Sequence, residues 1–435
     1  METNATRMCA LLVALPDVTV LAVDDQAAQP IRVHVESLPE PAWCRACGVR
    51  ARVKDRPVVE LIDLRCFGRA ARLVWRKHRW CCPEPLCPTG SWTHVDERIA
   101  APRVAMTARA GRWATIQVGR LGRSVNEVAE DLGCDWHTVN DTVVAYGEAL
   151  LGADVERVGA VDALGLDETL FCRTGQWRRQ QWCTSVVNVG GPGQTAQLID
   201  VVAGRSAAKV LDWLDEQPEA WKDQIRWGVL DLSGPYRKVF NDGLGQVTQV
   251  ADPFHVCKLA NSKLDECRRR VQNDTLGHRG RKSDPLYRAR RLLTKAHERL
   301  DDRGEAKLTG LLAAGDPRGE VRMAWHAKET VRGIYDIDDP DLAREFVTQL
   351  GLDLQDESCP TEVHSLGRTL RRWLDQITAW HQAKVTNGPT EAINNLIKRI
   401  KRIGFGLRRL RDYRIGALLH AGRPNWYLLE ATTPR

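Results

Sequence analysis

The order of apolar and helical segments between about residues 158 and 255 restricts the fold more than any other feature of the chain. An apolar segment over 158–166 precedes two strand-like segments, 181–189 and 194–203, which a turn over 190–193 rich in Gly and Pro joins as a hairpin. A helix, a strand, a second helix, a strand and a further helix follow. This order predicts an α/β layer built on a mixed sheet.

Acidic residues stand where the apolar segments of this layer end. Asp167, Asp231 and Asp252 each occupy such a position. Functional groups of open α/β sheets gather at the carboxyl ends of strands, although a single Asp there is more often a helix cap. Two of these acids, together with Glu391 from a later helix, predict an oxygen-rich cluster that suits Mg²⁺. Two such ions shared by three carboxylates suit in-line displacement at phosphorus.

A helix is predicted over residues 387–404, because Pro389 suits a first helical turn and Gly404 suits a helix end. At about 100° per residue, one face is apolar and consists of Ile393, Leu396, Ile397, Ile400 and Ile403. The opposite face carries Glu391, Asn395, Lys398 and Arg402. An acid followed by an amide and two cations suits a metal ion held beside a polyanion. The simpler alternative is that Glu391 only complements the helix macrodipole.

Two pairs of cysteines predict a structural zinc site near the N-terminus. Cys44 and Cys47 form the first pair, and Cys82 and Cys87 form the second. Pairs on tight turns, separated by a few tens of residues, suit tetrahedral Zn²⁺. Two alternatives stay open at this stage: Cys81 in place of Cys82, and His94 as a substitute ligand.

Residues 124–141 predict a helix-turn-helix. Ser124 and Glu127 form a capping box for the first helix, Gly133 lies in the turn, and Asp135 or Trp136 opens the second helix. Residues near the start of a recognition helix contact base edges. The candidate DNA-contacting residues are therefore Trp136, His137, Thr138, Asn140 and Asp141. Helix pairs of this kind are also common in ordinary bundles, but the upstream cysteine pairs and basic residues favour DNA.

Charge and composition agree with a nucleic-acid partner. The net charge is only +7, but cations cluster over residues 45–79, 268–291 and 398–414, as phosphate binding requires. We expect Arg408 and Arg409, in the last cluster, to form part of a phosphate-contacting arm. An N-terminus without a secretory signal and the lack of a membrane-length apolar run favour the cytoplasm, where the 13 cysteines stay reduced.

These motifs together resemble the insertion-sequence transposases of the ISL-three type, within the DDE superfamily of RNase H-like nucleotidyl transferases. The likeness covers about residues 40–425, and the order of the motifs matches as well as the motifs themselves. The matching positions are Cys44, Cys47, Cys82, Cys87, and residues 128–139, 165–169, 229–236, 251–255 and 387–395.

The resemblance implies a catalytic triad of Asp167, Asp231 and Glu391 that uses Mg²⁺ or Mn²⁺. Asp252, His255 and Asn395 match family segments and are treated as supporting residues. It also implies a zinc ribbon and a helix-turn-helix that bind double-stranded DNA at the terminal inverted repeats of the element. We therefore expect a DNA transposase that cuts element ends, joins them to target DNA, is a homo-oligomer on DNA, and resides in the bacterial cytoplasm with the nucleoid.

The predicted fold is an RNase H-like mixed sheet flanked by helices, with a helical insertion. The predicted order of parts is a strand-rich region with the zinc ribbon (1–100), a helix-turn-helix (101–155), the first part of the core (156–270), the insertion (271–384), and the last core helix with a basic arm (385–435). One rival function is a DNA-binding regulator with an inactive scaffold, and another is a plain RNase H-like nuclease. Acids at all three triad positions favour the transposase.

Overall fold

The protein is described from a computed structural model, which covers residues 4–38, 41–190, 195–404 and 406–434. The chain divides into two compact units. The first unit comprises residues 1–159 and 395–435, and the second comprises residues 160–394. The first unit is therefore built from both ends of the chain and the second from its middle.

The described strands and helices follow the chain in a fixed order, and the labels used below are defined here. The strands are β1 (Val18–Asp24), β2 (Ile31–Ser37), β3 (Arg52–Asp55), β4 (Val58–Cys66), β5 (Arg69–Arg76), β6 (Arg79–Cys81), β7 (Ser91–Thr93), β8 (Ala163–Thr174), β9 (Arg179–Asn188), β10 (Gln197–Ala203), β11 (Trp227–Leu230) and β12 (Thr248–Ala251). The helices are α1 (Ala5–Val13), α2 (Ala108–Thr115), α3 (Val125–Leu132), α4 (Trp136–Ala153), α5 (Ala207–Asp215), α6 (Glu219–Lys222), α7 (Gly234–Gly243), α8 (Pro253–Leu276), α9 (Pro285–Thr294), α10 (Asp302–Gly315), α11 (Glu320–Gly333), α12 (Pro340–Asp353), α13 (Thr361–Arg372), α14 (Leu374–Ala383), α15 (Gly388–Ile403) and α16 (Leu410–Ala421).

The N-terminal part of the first unit contains two sheets. One has the strand order β1-β2-β5-β4, and the other is the small antiparallel sheet β3-β6-β7. The region predicted to be rich in strands contains β1 to β7, but it begins with helix α1, which includes residues 11–13. Asn4 caps that helix by accepting a hydrogen bond from the Arg7 backbone N–H at 3.1 Å, and the Ala- and Leu-rich sequence that follows favours helix.

The helical part of the first unit has a core to which both chain ends contribute. Val128, Leu132 and Val139 of the α3–α4 pair are fully buried, and Ile415 and Leu419 of α16 pack into the same cluster. Each such side chain contributes roughly 1.5–3 kcal/mol by leaving water. The helix-turn-helix core is therefore completed by residues that follow it by more than 250 positions.

The helix-turn-helix has the predicted caps and turn. Ser124 and Glu127 form the capping box of α3, and Asp135 caps α4 by accepting from the Thr138 N–H at 3.0 Å. Gly133 has φ of 61°, a left-handed conformation that ends α3 without the strain a Cβ would cause.

The second unit is organised around a five-stranded mixed sheet in the order β10-β9-β8-β11-β12. The strands β10, β9 and β8 pair antiparallel, whereas β8, β11 and β12 pair parallel. The prediction of a three-stranded meander followed by alternating helices and strands is confirmed. Of the predicted hairpin turn over 190–193, residues 191–193 lie outside the described residues.

The predicted helical insertion is also helical in the structure, from α9 to α14. It breaks between α10 and α11 at Asp316 and Pro317, and α12 begins at Pro340. Within this unit α8 packs against α11 and α13, and α14 packs against β12. None of the helices in the described part of the chain has the length and apolar character needed to cross a lipid bilayer.

Candidate active site

The predicted acids of the second unit lie in one row across neighbouring strands. Gly165 of β8 pairs with Val229 of β11, and Leu230 of β11 pairs with Ala251 of β12. Extending these parallel registers brings Asp167, Asp231 and Asp252 level with one another. One expectation was wrong in detail, because Asp167 lies within β8 rather than at its end. The β8–β9 hairpin continues to Thr174 by antiparallel pairing after the β11 pairing has stopped.

Asp231 is a buried acid, and the nearby charges of His255 and Lys258 favour its ionised form. Its Oδ1 atom is buried and has no hydrogen-bond partner. Burial raises the pKa of Asp231 above its ordinary value, and the carboxylates of Asp167 and Glu168 raise it further. Among the described residues, no Lys or Arg forms a salt bridge with Asp231. A buried oxygen without a partner, beside other carboxylates, fits a divalent cation.

Asp252 differs from Asp231 because both of its carboxylate oxygens are engaged by hydrogen bonds. Its Oδ2 accepts from the backbone N–H of His255 at 3.2 Å and lies 2.9 Å from that residue's Nδ1, while Oδ1 accepts from the Asn387 N–H at 2.8 Å. Burial opposes ionisation, but these hydrogen bonds lower the pKa of Asp252 below its ordinary value. Asp252 thus caps α8 and orients His255.

His255 connects the aspartates to the predicted glutamate. Its Nε2 lies 3.7 Å from Oε1 of Glu391. The hydrogen bond with Asp252 raises the pKa of His255, burial opposes the rise, and the charges of Asp231 and Glu391 add to it. When protonated, the imidazole places a positive charge beside Asp252, Asp231 and Glu391. The charges of Asp231 and Glu391 thus act on His255, and that of Asp167 acts on Asp231.

The carboxylate oxygens are not drawn into a tight cluster. We considered groups of at least three Cys, His, Asp or Glu residues whose ligand atoms all lie within 4.8 Å of one another. Within the described ranges, four cysteines of the first unit form the one such group. The acids of the second unit are spaced more widely than that. The chemistry of the donor set nevertheless fits a hard cation, since the donors are carboxylates and Asp231 keeps a buried oxygen free.

A buried amide that the sequence did not single out fixes the first aspartate. Asn394 Nδ2 donates to Asp167 Oδ2 at 2.6 Å, and Asn394 Oδ1 accepts from Ser185 Oγ at 2.7 Å. Asn394 is 2% exposed, whereas the predicted supporting residue Asn395 is exposed. The supporting contact on this helix is thus one position earlier than expected.

The buried face of α15 explains this difference. Ile393, Ile397 and Ile400 are buried as predicted, but Leu396 is 37% exposed and Thr390 and Asn394 are buried instead. Thr390 approaches β8 so closely that a Cβ on Gly165 would lie 2.3 Å from its Oγ1. The glycine therefore allows the first turn of α15, with Glu391, to lie against the sheet.

Comparison with known proteins decides the family. A family described as Transposase, the ISL-three type of DDE transposase, matches residues 164–417, which is more than half of the chain. The chain belongs to this family.

Individual transposases are similar over most of their length. The transposase for insertion sequence element IS1001 of Bordetella parapertussis is 23% identical, with 88% of this chain and 90% of that protein covered. The transposase for insertion sequence element IS1557 of Mycobacterium tuberculosis is 25% identical, with 88% and 87% covered. The protein is thus a DNA transposase, as expected from the resemblance, and the regulator alternative loses its support.

The ISL-three-type transposase carries the predicted group of four cysteines in its first unit. The sulfurs of Cys44 and Cys87 are 3.5 Å apart and those of Cys47 and Cys82 are 3.4 Å apart. Sulfurs bound tetrahedrally at about 2.3 Å from zinc are roughly 3.8 Å apart, so the group fits Zn²⁺. The structure selects Cys82 over Cys81 and includes no histidine in the group.

The thiols of this group differ in how readily they ionise. Hydrogen bonds from Thr89 and from the Cys47 backbone lower the pKa of Cys44 to about 6. A backbone hydrogen bond at Glu84 acts in the same direction on Cys82, but burial and the neighbouring thiols raise the pKa of Cys82 to about 12. Forming a second thiolate in this group is therefore unfavourable without a bound cation. Metal sites built from cysteines share this property.

The start of the second helix of the helix-turn-helix lines a groove with the basic segment that follows α15. The groove has a volume of about 440 Å³ and includes Trp136, His137, Arg408 and Arg409. His137, Arg408 and Arg409 are exposed. The groove thus joins the predicted base-reading end of α4 to the predicted phosphate-contacting arm.

Two of the predicted DNA-contacting side chains have structural partners. Asn140 also lines this groove, but it is 5% exposed and donates to Asp412 Oδ2 at 3.1 Å. Thr138 Oγ1 donates to Asp135 Oδ2 at 2.5 Å and helps to cap α4. Asn140 lies on the buried face of α4, and its contact with DNA stays a prediction. Lys398 and Arg402 are exposed on α15, and Trp136 is half-buried.

Proposed function

We propose that this transposase cuts DNA at the ends of its insertion sequence and joins the freed ends to target DNA by DDE chemistry. Asp167, Asp231 and Glu391 are the proposed catalytic carboxylates and would hold Mg²⁺ or Mn²⁺. The observation that carries the proposal is the buried, unpartnered Oδ1 of Asp231, in register with Asp167 and close to the His255 that contacts Glu391.

The strand order supports an RNase H-like core. An antiparallel meander of three strands is extended by two parallel strands, with acids on the first and fourth strands and on a helix. When bound, a divalent ion at these carboxylates supplies a Lewis acid that favours attack at phosphorus and stabilises the leaving oxygen.

The side chains around the acids have positioning roles in this proposal. Asn394 fixes the orientation of Asp167, with Ser185 holding the other end of the amide. Asp252 fixes the ring of His255, whose Nε2 then faces Glu391. Hydrogen-bonded supports of this kind keep carboxylates in a productive arrangement.

The first unit supplies the proposed DNA contacts. The zinc ribbon at Cys44, Cys47, Cys82 and Cys87, together with the groove lined by His137, Arg408 and Arg409, would bind the terminal inverted repeats. Lys398 and Arg402 would contact phosphates. A homo-oligomer on DNA is part of this proposal, because two element ends must be processed together.

The experiment is a cleavage assay with duplex DNA that carries the ends of the element encoding this protein. Asp231→Asn should lower the rate of strand cleavage by at least about 100-fold, the loss typical when one electrostatic stabiliser is removed. Binding to the same DNA should not change. Asp215→Asn, which alters an exposed aspartate of the same unit, should retain the wild-type rate. Retained cleavage in Asp231→Asn would remove this residue from the triad.

A further inference from the structure

A second basic surface lies in the other unit, between α8 and α9. It is a groove of about 1140 Å³, larger than a usual small-molecule pocket. Seven of its thirteen lining residues are Lys or Arg, and one, Asp265, is acidic. The neutral residues include amide and hydroxyl side chains of the kind that donate hydrogen bonds to phosphates.

The single acid of this groove, called the α8–α9 groove below, is already used. Asp265 accepts from Arg268 at 2.7 Å and also pairs with Arg269. Arg270 is engaged by Glu320 and Glu362 of neighbouring helices. These three arginines therefore stabilise the helices and are not counted as free ligand-binding groups.

Four lining cations have no carboxylate partner in the described structure, namely Lys258, Arg279, Arg290 and Arg291. Arg290 lies over the Tyr287 ring at 3.9 Å, which holds its guanidinium in the groove. Lys258, Arg279 and Arg291 are exposed. Such a concentration of unneutralised positive charge in a concave surface favours a polyanion.

The length and direction of the groove suit a DNA backbone. Its lining on α8 extends from Lys258 to Asn273, which is about 22 Å at 1.5 Å per residue. That length corresponds to roughly six phosphates along one strand of duplex DNA. Lys258 follows His255 by one helical turn, and its charge acts on Asp231, so this end of the groove begins beside the candidate active site.

We propose that the α8–α9 groove binds the phosphate backbone of the duplex DNA segment that adjoins the scissile phosphate. The inference rests on the proposed function and adds a DNA path in the second unit, separate from the zinc ribbon and helix-turn-helix of the first. Lys258, Arg279, Arg290 and Arg291 contact phosphates, and the path ends at the acids.

The test measures binding of fluorescent duplexes to the full-length protein by anisotropy over a range of salt concentrations, without Mg²⁺ or Mn²⁺. Three duplexes are used: the element end alone, the element end with about 20 base pairs of flanking DNA, and an unrelated duplex as target. The double variant Arg279→Gln, Arg291→Gln is compared with Arg303→Gln, Lys307→Gln, which removes two exposed cations from α10 of the same unit.

The groove variant should lower the slope of log affinity against log salt by about 2, since each phosphate contact contributes roughly 0.9. A loss confined to the flanked duplex would assign the groove to flanking DNA, whereas a loss confined to the unrelated duplex would overturn the proposal. Arg279→Lys, Arg291→Lys should restore most of the slope, because a charged donor is retained.

An unchanged slope for all three duplexes, or an equal loss in the α10 control, would overturn the proposal. The melting temperature of each variant verifies folding. Because binding is measured without a catalytic metal ion, this result is independent of the cleavage assay on Asp231→Asn. Either proposal, DNA binding by the α8–α9 groove or catalysis by the triad, can therefore be rejected without rejecting the other.

Discussion

Asp231 and Asn394 show how single residues prepare this site. Asp231 keeps a buried oxygen without a hydrogen-bond partner. Burying such an oxygen costs free energy, and a bound cation would offset that cost. Asn394 has the opposite character, because both ends of its amide are used by Asp167 and Ser185. One residue is left open to a ligand and the other is fixed by the protein.

The Asn394 contact leads to a residue-scale prediction. Asn394→Ala should lower the cleavage rate by about 10–100-fold, because supports of metal-ligating carboxylates have effects of that size. Asn395→Ala is the matched control, since its side chain is exposed and should be nearly neutral. The measurement is single-turnover cleavage of element-end DNA at several Mg²⁺ concentrations. Equal activity of the two variants would reject the positioning role of Asn394.

The sequence predicts the acids better than the groups that support them. Asp231 and Asp252 directly follow apolar strands, so their common edge can be foreseen from the strand pattern. Asn394 is a polar residue on the buried face of α15, and its three-dimensional contact with Asp167 explains its position there. Asn140 presents the reverse problem: its buried bond to Asp412 depends on a helix far away in the sequence.

At the scale of elements, the cysteine group is the most self-contained feature. Two turns and the β3-β6-β7 sheet bring Cys44, Cys47, Cys82 and Cys87 together, with the Gly48 N–H bonded to the Cys44 carbonyl at 2.9 Å. Short strands of this kind bury little apolar surface. A metal ion bound by these cysteines would therefore contribute directly to the stability of this part of the chain.

The expected outcome for the double variant Cys44→Ser, Cys47→Ser is the loss of one zinc per chain and weaker binding to element-end DNA. Cys81→Ser should keep its zinc, because Cys81 lies outside the group. Metal content by atomic emission and DNA affinity by anisotropy provide the measurements. Unchanged zinc in the double variant, or zinc loss in Cys81→Ser, would contradict this assignment.

Helix α15 carries a separate prediction at its exposed face. Replacing Lys398 and Arg402 with Ala should lower the salt dependence of binding to element-end DNA, by roughly one unit of slope for each lost phosphate contact. Both side chains are exposed, so the melting temperature should change little. An unchanged slope would place these two cations away from the DNA.

Element types were predicted well where local signals are strong. The capping box of α3, the left-handed Gly133 and the strand-helix alternation from β8 to α8 all follow from residues close in sequence. Helix α1 was missed because its apolar residues 11–13 have no clear period. The extent of β8 was missed because its antiparallel partner, and not its own sequence, determines how far it continues.

At the scale of the whole molecule, the chain path is the informative feature. Residues 395–435 group with residues 1–159, whereas residues 160–394 form the other unit. Glu391 and Asn394 thus belong to one unit, and Lys398 and Arg402, on the same helix, belong to the other. No local pattern predicts that α16 completes the helix-turn-helix core, because the packing joins residues that are far apart in sequence.

In the proposed active site, Asp167, Asp231 and Glu391 hold divalent metal ions for DNA cleavage. The most direct measurement is the anomalous X-ray signal of Mn²⁺ in crystals of the transposase bound to element-end DNA. We expect a Mn²⁺ peak bonded to carboxylate oxygens of Asp167 and Asp231, close to Glu391. The peak should be lost in Asp231→Asn. Mn²⁺ that supports cleavage but binds away from these carboxylates would contradict the proposal.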